Sequence, residues 1–168
     1  MKLFHGTSFN LGNTILKQGV IKKGQSSFDI VTDSNYVYLT DRITVAMNYG
    51  RKKAVYSQEK EFYLFELELE NNLLLVDLDE VMIYKNGFRN QRASIQKLND
   101  QFTVDNTLPV FHSVRVDFDI KLLNHACKYT TFSIQDMNYS INEDIRRNIF
   151  NDVDLLKIYN SKVWESIY

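Results

Sequence analysis

Between residues 61 and 70 the chain reads Glu-Phe-Tyr-Leu-Phe-Glu-Leu-Glu-Leu-Glu, ending in strict apolar/charged alternation. Because a β-strand turns successive side chains to opposite faces, this pattern predicts a strand with one face on a core and one in water. Earlier, Lys2-Leu3-Phe4 leads into His5-Gly6-Thr7-Ser8 as a short strand ending in a turn, where Gly6, having no Cβ, lets a ligand approach the main chain. Leu11, Ile15 and Leu16 then follow helical spacing over Asn10 to Gly19, with Gly19 as the stop. Lys22 to Ser34 has no periodicity and reads as a loop, and Tyr36 to Leu39 reads as a strand. Thr40 or Asp41 is placed to cap a helix that runs to about Tyr49 and is closed by Gly50.

The second half continues in shorter pieces. Leu73 to Val76 predicts a strand, and residues 79 to 99 one or two helices broken near Asn86-Gly87. Val114, Val116, Phe118 and Ile120 alternate with polar residues, and Lys128 to Ile134 is rich in β-formers, so both stretches are expected in the sheet. From Asn142 to Tyr168, Ile145, Ile149, Val153, Leu156 and Trp164 fall at roughly helical spacing, which predicts one or two terminal helices packed on the body. Strands and helices mixed in this way give an α+β fold. No repeat, linker or low-complexity run divides residues 1–168, so a single domain is expected.

Composition narrows the class. A chain of 168 residues with 44 % hydrophobic and 24 % charged residues and one Pro can build a real core, which excludes disordered and collagen-like readings. One cysteine, Cys127, excludes an internal disulfide and a multi-cysteine zinc site. His112 and His125 lack the local spacing of metal ligands, so no metal is expected. A net charge of −1 gives no overall attraction to nucleic acid. With neither a signal-peptide pattern nor a membrane-length apolar run, the expectation is a cytoplasmic protein without a membrane partner. There is no Gly-x-Ser-x-Gly elbow, no phosphate-cradling Gly-x-x-x-x-Gly-Lys and no Gly-x-Gly-x-x-Gly, which disfavours a serine hydrolase, a P-loop and a Rossmann site.

The residues that suggest chemistry lie between positions 5 and 50. His5-Gly6-Thr7 is followed about thirty residues later by Val37-Tyr38-Leu39-Thr40-Asp41, and then by a helix-like segment in which Ala46-Met47-Asn48-Tyr49-Gly50 supplies a second tyrosine. This combination resembles the ADP-ribosyltransferase superfamily of the diphtheria-toxin and poly-ADP-ribose-polymerase type, in its His, Tyr, third-residue pattern, and small phage and bacterial toxin members are nearest in size. The resemblance covers 46 residues clearly and extends to the strand at 61 to 70. It implies a split mixed or antiparallel sheet with flanking helices, and NAD⁺ as co-substrate.

On that resemblance, His5 would hydrogen-bond the hydroxyls of the nicotinamide-side ribose and Gly6 would offer its main chain to the carboxamide. Tyr38 and Tyr49 would sandwich the nicotinamide ring, and Thr7 would orient the adenosine half or the phosphates. The family often carries a serine near Ala46 to hold the carboxamide; here alanine stands there and Thr44 is the nearest hydroxyl. The family's late-strand Glu has no obvious counterpart. Glu143, in an Asn-Glu context, competes with a helix-capping role, and Gln135, at the end of Tyr129 to Ile134, is its rival as the third residue. Asp117 and Asp119 lie on the polar phase of their strand, where solvation accounts for them.

Basic clusters at Lys22-Lys23, Arg51-Lys52-Lys53, Arg89 with Arg92, and Arg146-Arg147 read mostly as solvated faces. The second of them follows Tyr49 after Gly50, which puts it in reach of NAD⁺ phosphates or a nucleic-acid acceptor on the family resemblance. The expected function is therefore NAD⁺-dependent mono-ADP-ribosyl transfer to a protein or nucleic acid by a toxin or phage-conflict effector, for which an antitoxin or inhibitor would be the natural partner. Two alternatives stand beside it: a degenerate domain that binds NAD⁺, ADP-ribose or a protein without turnover, and an NAD⁺-dependent RNA 2′-phosphotransferase. The latter is disfavoured because Phe4-His5-Gly6 has no adjoining Arg.

Overall fold

The structure is a computed structural model and describes residues 1–24, 32–86, 95, 96, 98, 100–136 and 153–167. Strand β1, Lys2–Ser8, pairs antiparallel along its whole length with β4, Glu61–Glu68, from Lys2 opposite Glu68 to Ser8 opposite Phe62. The other edge of β4 pairs with β8, Cys127–Ser133, which in turn pairs with β9, Glu165–Ile167, so the order is β1-β4-β8-β9. A second sheet has the order β3-β6-β5, from Val37–Leu39, Val114–Val116 and Leu75–Val76. A third pairs β2, Val20–Ile21, with β7, Ile120–Lys121. All the pairings are antiparallel, and with the helices they make the fold α+β.

Alternation along β1 and β4 divides the side chains between two cores. Leu3, Tyr63, Phe65 and Leu67 join Ile15, Val37, Leu39, Val114, Val116 and Ile120 on one face. Phe4, Phe62, Leu64 and Phe132 meet Ile43, Ala46, Met47 and Ala54 on the other. The first face is covered by α1, Phe9–Gln18, and the small sheets; the second by α2, Ile43–Tyr56, and by Ile158 and Tyr159 of the C-terminal helix. The expected wet face of β4 is kept only at its end, where Glu68 is exposed. Glu66 is 6 % exposed because Lys2 (3.0 Å), Lys128 (3.2 Å) and the Tyr159 hydroxyl (2.8 Å) neutralise and hydrogen-bond it.

Gly19 ends α1 as expected, in the left-handed conformation at φ 67° with its N–H on the Ile15 carbonyl. Gly50, expected as a helix stop, instead lies inside α2, because a Cβ there would stand 2.6 Å from a ring carbon of Phe62; glycine is kept for close packing. The N-cap of α2 is Arg42, not Thr40 or Asp41, although the Thr40 hydroxyl accepts from the Arg42 N–H at 2.9 Å. The alternating run at 114–120 is split: exposed Asp117 and Asp119 separate β6 from β7, which pair with different sheets. Asp119 accepts from the Lys23 N–H at 2.9 Å.

A third helix, α3, covers Leu78–Lys85, capped by the Asp77 carboxylate, with Asn86 closing it. Helix α4, Val104–Phe111, was not foreseen; its capping box uses Thr103 with Asn106 in place of the usual Glu or Gln. At the C-terminal end α5, Val153–Ser161, agrees with the expected tail helix, whereas 165–167 form a strand.

Candidate functional site

The two larger sheets meet at one point. The Phe4 N–H bonds to the Thr40 carbonyl at 2.8 Å and the Thr40 N–H to the Phe4 carbonyl at 3.1 Å, an isolated bridge between β1 and the end of β3. This join brings His5, next along β1, against Tyr38 of β3: His5 Nδ1 lies 3.1 Å from the Tyr38 carbonyl oxygen. Since a carbonyl can only accept, Nδ1 carries the hydrogen and the neutral ring presents Nε2 as a bare acceptor. His5 is held neutral. Burial pulls its pKa from 6.5 down to about 4, the positive charge of Lys53 adds to the shift, and the Tyr38 carbonyl opposes it.

Tyr38 is fixed at its far end too. Its hydroxyl donates to the Asp79 carboxylate and accepts from the Asp33 N–H at 2.8 Å, while Asp79 also accepts from that N–H at 3.0 Å. Arg115, directly across from Tyr38 in the β3–β6 register, reaches Asp79 at 3.4 Å and stacks its guanidinium 3.8 Å from the Tyr36 ring centre. Burial first, and then hydrogen bonding to Asp79, pushes the Tyr38 pKa well above 10, so the phenol stays protonated. Asp79 sits in the first turn of α3, where Asp77 orients the helix by accepting from the Asp79 and Glu80 N–H groups at 3.1 Å.

Helix α2 packs on the opposite face of β1, the face of Phe4 and Gly6. A Cβ on Gly6 would fall 1.9 Å from the Ala46 carbonyl oxygen, and one on Gly50 would fall 3.3 Å from the Thr7 nitrogen, so the helix rests directly on the β1 main chain. The close approach that glycine permits at position 6 is thus made by α2. It carries half-buried Tyr49 beside Gly50, and Lys53 one turn further on, near enough for its charge to act on His5. Thr7 is fully buried and its hydroxyl has no hydrogen-bond partner among the described residues.

The remaining expected residues are spread more widely. Ala46 belongs to the core between α2 and the large sheet. Thr44 is buried and lines a cavity of about 250 Å³ with Lys2, Phe4, Arg42 and Tyr159, on the face of β1 opposite His5. Gln135 is exposed in a single 3₁₀ turn, Ile134–Asp136, that follows β8 and is tied to α2 by Arg51, whose Nε donates to the Ile134 carbonyl at 3.3 Å. Glu143 lies outside the described residues. Sequence reasoning missed Asp79 and Arg115: Asp77-Leu78-Asp79-Glu80 signals a helix start, and nothing in it points to Tyr38.

Among the described residues no cluster of His, Cys, Asp and Glu could hold a metal, and no helix is long and apolar enough to cross a membrane. No family model, no curated protein and no solved structure matches this chain.

Proposed function

We propose that the chain is an NAD⁺-dependent mono-ADP-ribosyltransferase with an ADP-ribosyltransferase-like arrangement of its sheets, acting as a toxin or phage-conflict effector on a protein or nucleic acid. The observation that carries this reading is the hydrogen bond from His5 to the Tyr38 carbonyl, which joins two residues 33 positions apart at the junction of the sheets and leaves Nε2 without a partner among the described residues.

In this reading the neutral His5 accepts a hydrogen bond from a ribose hydroxyl through Nε2. The Tyr38 ring, held at both ends, gives the nicotinamide a fixed face, and Tyr49 on α2 supplies the opposing one. Rigid holding of this kind favours a reaction whose transition state differs from the substrate mainly in charge distribution. The bond between ribose C1′ and nicotinamide N1 breaks, its electron pair goes to N1, and neutral nicotinamide leaves. A nucleophile of the acceptor then bonds C1′ and gives up its proton. Gln135 and Glu143 are the candidates for the polar group at C1′.

The test is nicotinamide release from labelled NAD⁺ in cell lysate by the native chain, Tyr38→Ala and His5→Ala, following label into protein or nucleic acid. Transfer by the native chain, lost in both variants, is expected; a native chain that neither releases nicotinamide nor labels an acceptor refutes it. A second reading, binding of NAD⁺ or ADP-ribose without turnover, is favoured by one observation: the candidate third residue that is described, in the turn after β8, is the amide Gln135, which cannot accept a proton as a carboxylate does. NAD⁺ binding without release would support it.

A further inference from the structure

The first N–H groups of a helix have no partner within it and are met by a capping side chain, by water or by a ligand. In α2 the N-cap is Arg42, whose side chain has only donors, and no acidic residue stands in the first turn. The Val45 and Ala46 N–H groups share the Arg42 carbonyl at 3.1 and 3.2 Å. Those of Ile43 and Thr44 have no acceptor among the described residues. The fourteen-residue helix therefore begins as an uncapped positive pole.

Ile43 and Thr44 themselves line the cavity of about 250 Å³. Thr44 is 3 % exposed, and its hydroxyl has no hydrogen-bond partner among the described residues, yet it is not sealed inside the protein as the Thr7 hydroxyl is. Two cations, Lys2 and Arg42, stand in the same wall. Lys2 shares one oxygen of Glu66 with Lys128, at 3.0 and 3.2 Å, so two ammonium groups face one carboxylate and a positive charge is left over. Asp41, the one carboxylate in the wall, lies 3.0 Å from the Nδ1 of His112, and the Arg42 Nε lies 3.2 Å from the same atom. The terminal nitrogens of Arg42 have no acceptor among the described residues. The rest of the wall is apolar, from Phe4, Leu156 and Tyr159, whose hydroxyl is already held by Glu66.

We propose that this cavity binds the phosphate group of a small molecule with a short apolar body. The Ile43 and Thr44 N–H groups, the Thr44 hydroxyl and the two cations are its donors. They outnumber what a carboxylate can accept and suit the three terminal oxygens of a phosphate, whose charge the helix pole also favours. The body has to be short, because pockets for drug-sized ligands hold roughly 300–1,000 Å³ and this one is smaller. The site does not depend on the transferase reading, since it lies on the face of β1 opposite His5. A ligand in it touches β1, α2 and α5 together, through Phe4, Thr44 and Leu156, and so clamps the C-terminal helix to the sheet.

Inorganic phosphate, phenyl phosphate and benzoate, each titrated into the full chain at constant ionic strength and followed by ¹⁵N NMR, test the assignment in the native protein, Thr44→Val and Arg42→Asn. Phenyl phosphate should shift the Ile43 and Thr44 amide signals of the native chain, slow amide exchange at Leu156 and Tyr159, and bind more tightly than the other two. Thr44→Val keeps the branched shape and should weaken its binding about tenfold, the worth of one hydrogen bond to a charged group. Arg42→Asn supplies the missing cap, which takes the N–H groups for itself, so it should melt no lower than the native chain and show no saturable phosphate binding. That pairing separates lost binding from lost folding. Native-like affinity in Arg42→Asn, or saturation without a shift at Ile43 and Thr44, overturns the site. Equal affinity for inorganic and phenyl phosphate overturns the apolar body and leaves a site for the free ion, and tighter binding of benzoate overturns the choice of phosphate. Absence of any response to the three probes overturns the whole proposal.

Discussion

Replacing Gly6 by alanine adds a single methyl group, and the structure says where it lands: 1.9 Å from the Ala46 carbonyl oxygen, and 2.8 Å from both the Ala46 carbonyl carbon and the Gly50 nitrogen. All three are main-chain atoms of a helix packed on the sheet, so no rotamer change relieves the clash; α2 has to lift from β1. Overpacking of this kind costs about 3 kcal/mol, the upper part of the usual range, because the obstacle is backbone. For a domain of this length that lowers the melting temperature by roughly 6–12 °C. Gly50→Ala is the internal control. There the obstacle is the Phe62 ring at 2.6 Å, and alanine within the helix recovers about 1 kcal/mol of propensity, so its net loss should be about 1–2 kcal/mol. Thermal and urea unfolding followed by circular dichroism measure both. Since α2 also carries Tyr49, Gly6→Ala should, on the proposed transferase reading, bind NAD⁺ more weakly even where it is fully folded. A Gly6→Ala protein that melts within 2 °C of the native chain, or above Gly50→Ala, refutes the packing argument.

The charged groups give three further outcomes. Asp79→Asn removes the carboxylate that holds the Tyr38 phenol and balances buried Arg115; it should destabilise by about 2–3 kcal/mol and let Tyr38 ionise at lower pH, readable by ultraviolet titration. His5 titrates near 6.5 when unfolded and at about 4 when folded, so as pH falls from 6.5 to 4 the unfolded chain gains the proton first and stability drops by about 3 kcal/mol. His5→Gln should lose that component, and urea unfolding at pH 7 and pH 4.5 would show it; equal pH slopes in the two proteins contradict the burial of His5. Glu66→Gln leaves Lys2 and Lys128 facing each other without a counter-charge and weakens the grip of Tyr159, so amide exchange in 153–161 should accelerate while α1 is unchanged.

Much of the fold was legible because local patterns and final positions agree. β3, β4, β8 and the stop at Gly19 follow from alternation, from β-forming residues or from a glycine in the left-handed conformation, whereas β1 continues through His5–Ser8, where a turn was expected. The failures share one physical reason: the deciding partner is remote in sequence. Glu66 reads as solvated until Lys2, Lys128 and Tyr159 arrive from elsewhere, and Gly50 reads as a stop until Phe62 and Thr7 claim the space. The run at 114–120 looks continuous, yet its ends serve different sheets. At the site, His5 and Tyr38 were legible as a pair of motifs, whereas Asp79 and Arg115 depend on how β6 and α3 come together.

The placement of β4 at the centre of the large sheet governs how this chain emerges from a ribosome. The hairpin-like ladder with β1 can close once residue 68 is made, but the other edge of β4 waits for β8, which ends at Ser133. At ordinary elongation rates those 65 residues take roughly 3–13 s. Throughout that interval the nascent chain exposes an unpaired strand edge that carries Phe62, Leu64 and Phe65, the kind of surface that templates pairing with other chains. Yield on rapid overexpression should therefore depend on how quickly residues 69–133 are translated, and slower growth temperature, which also slows initiation and lowers the concentration of neighbours, should favour recovery of folded protein.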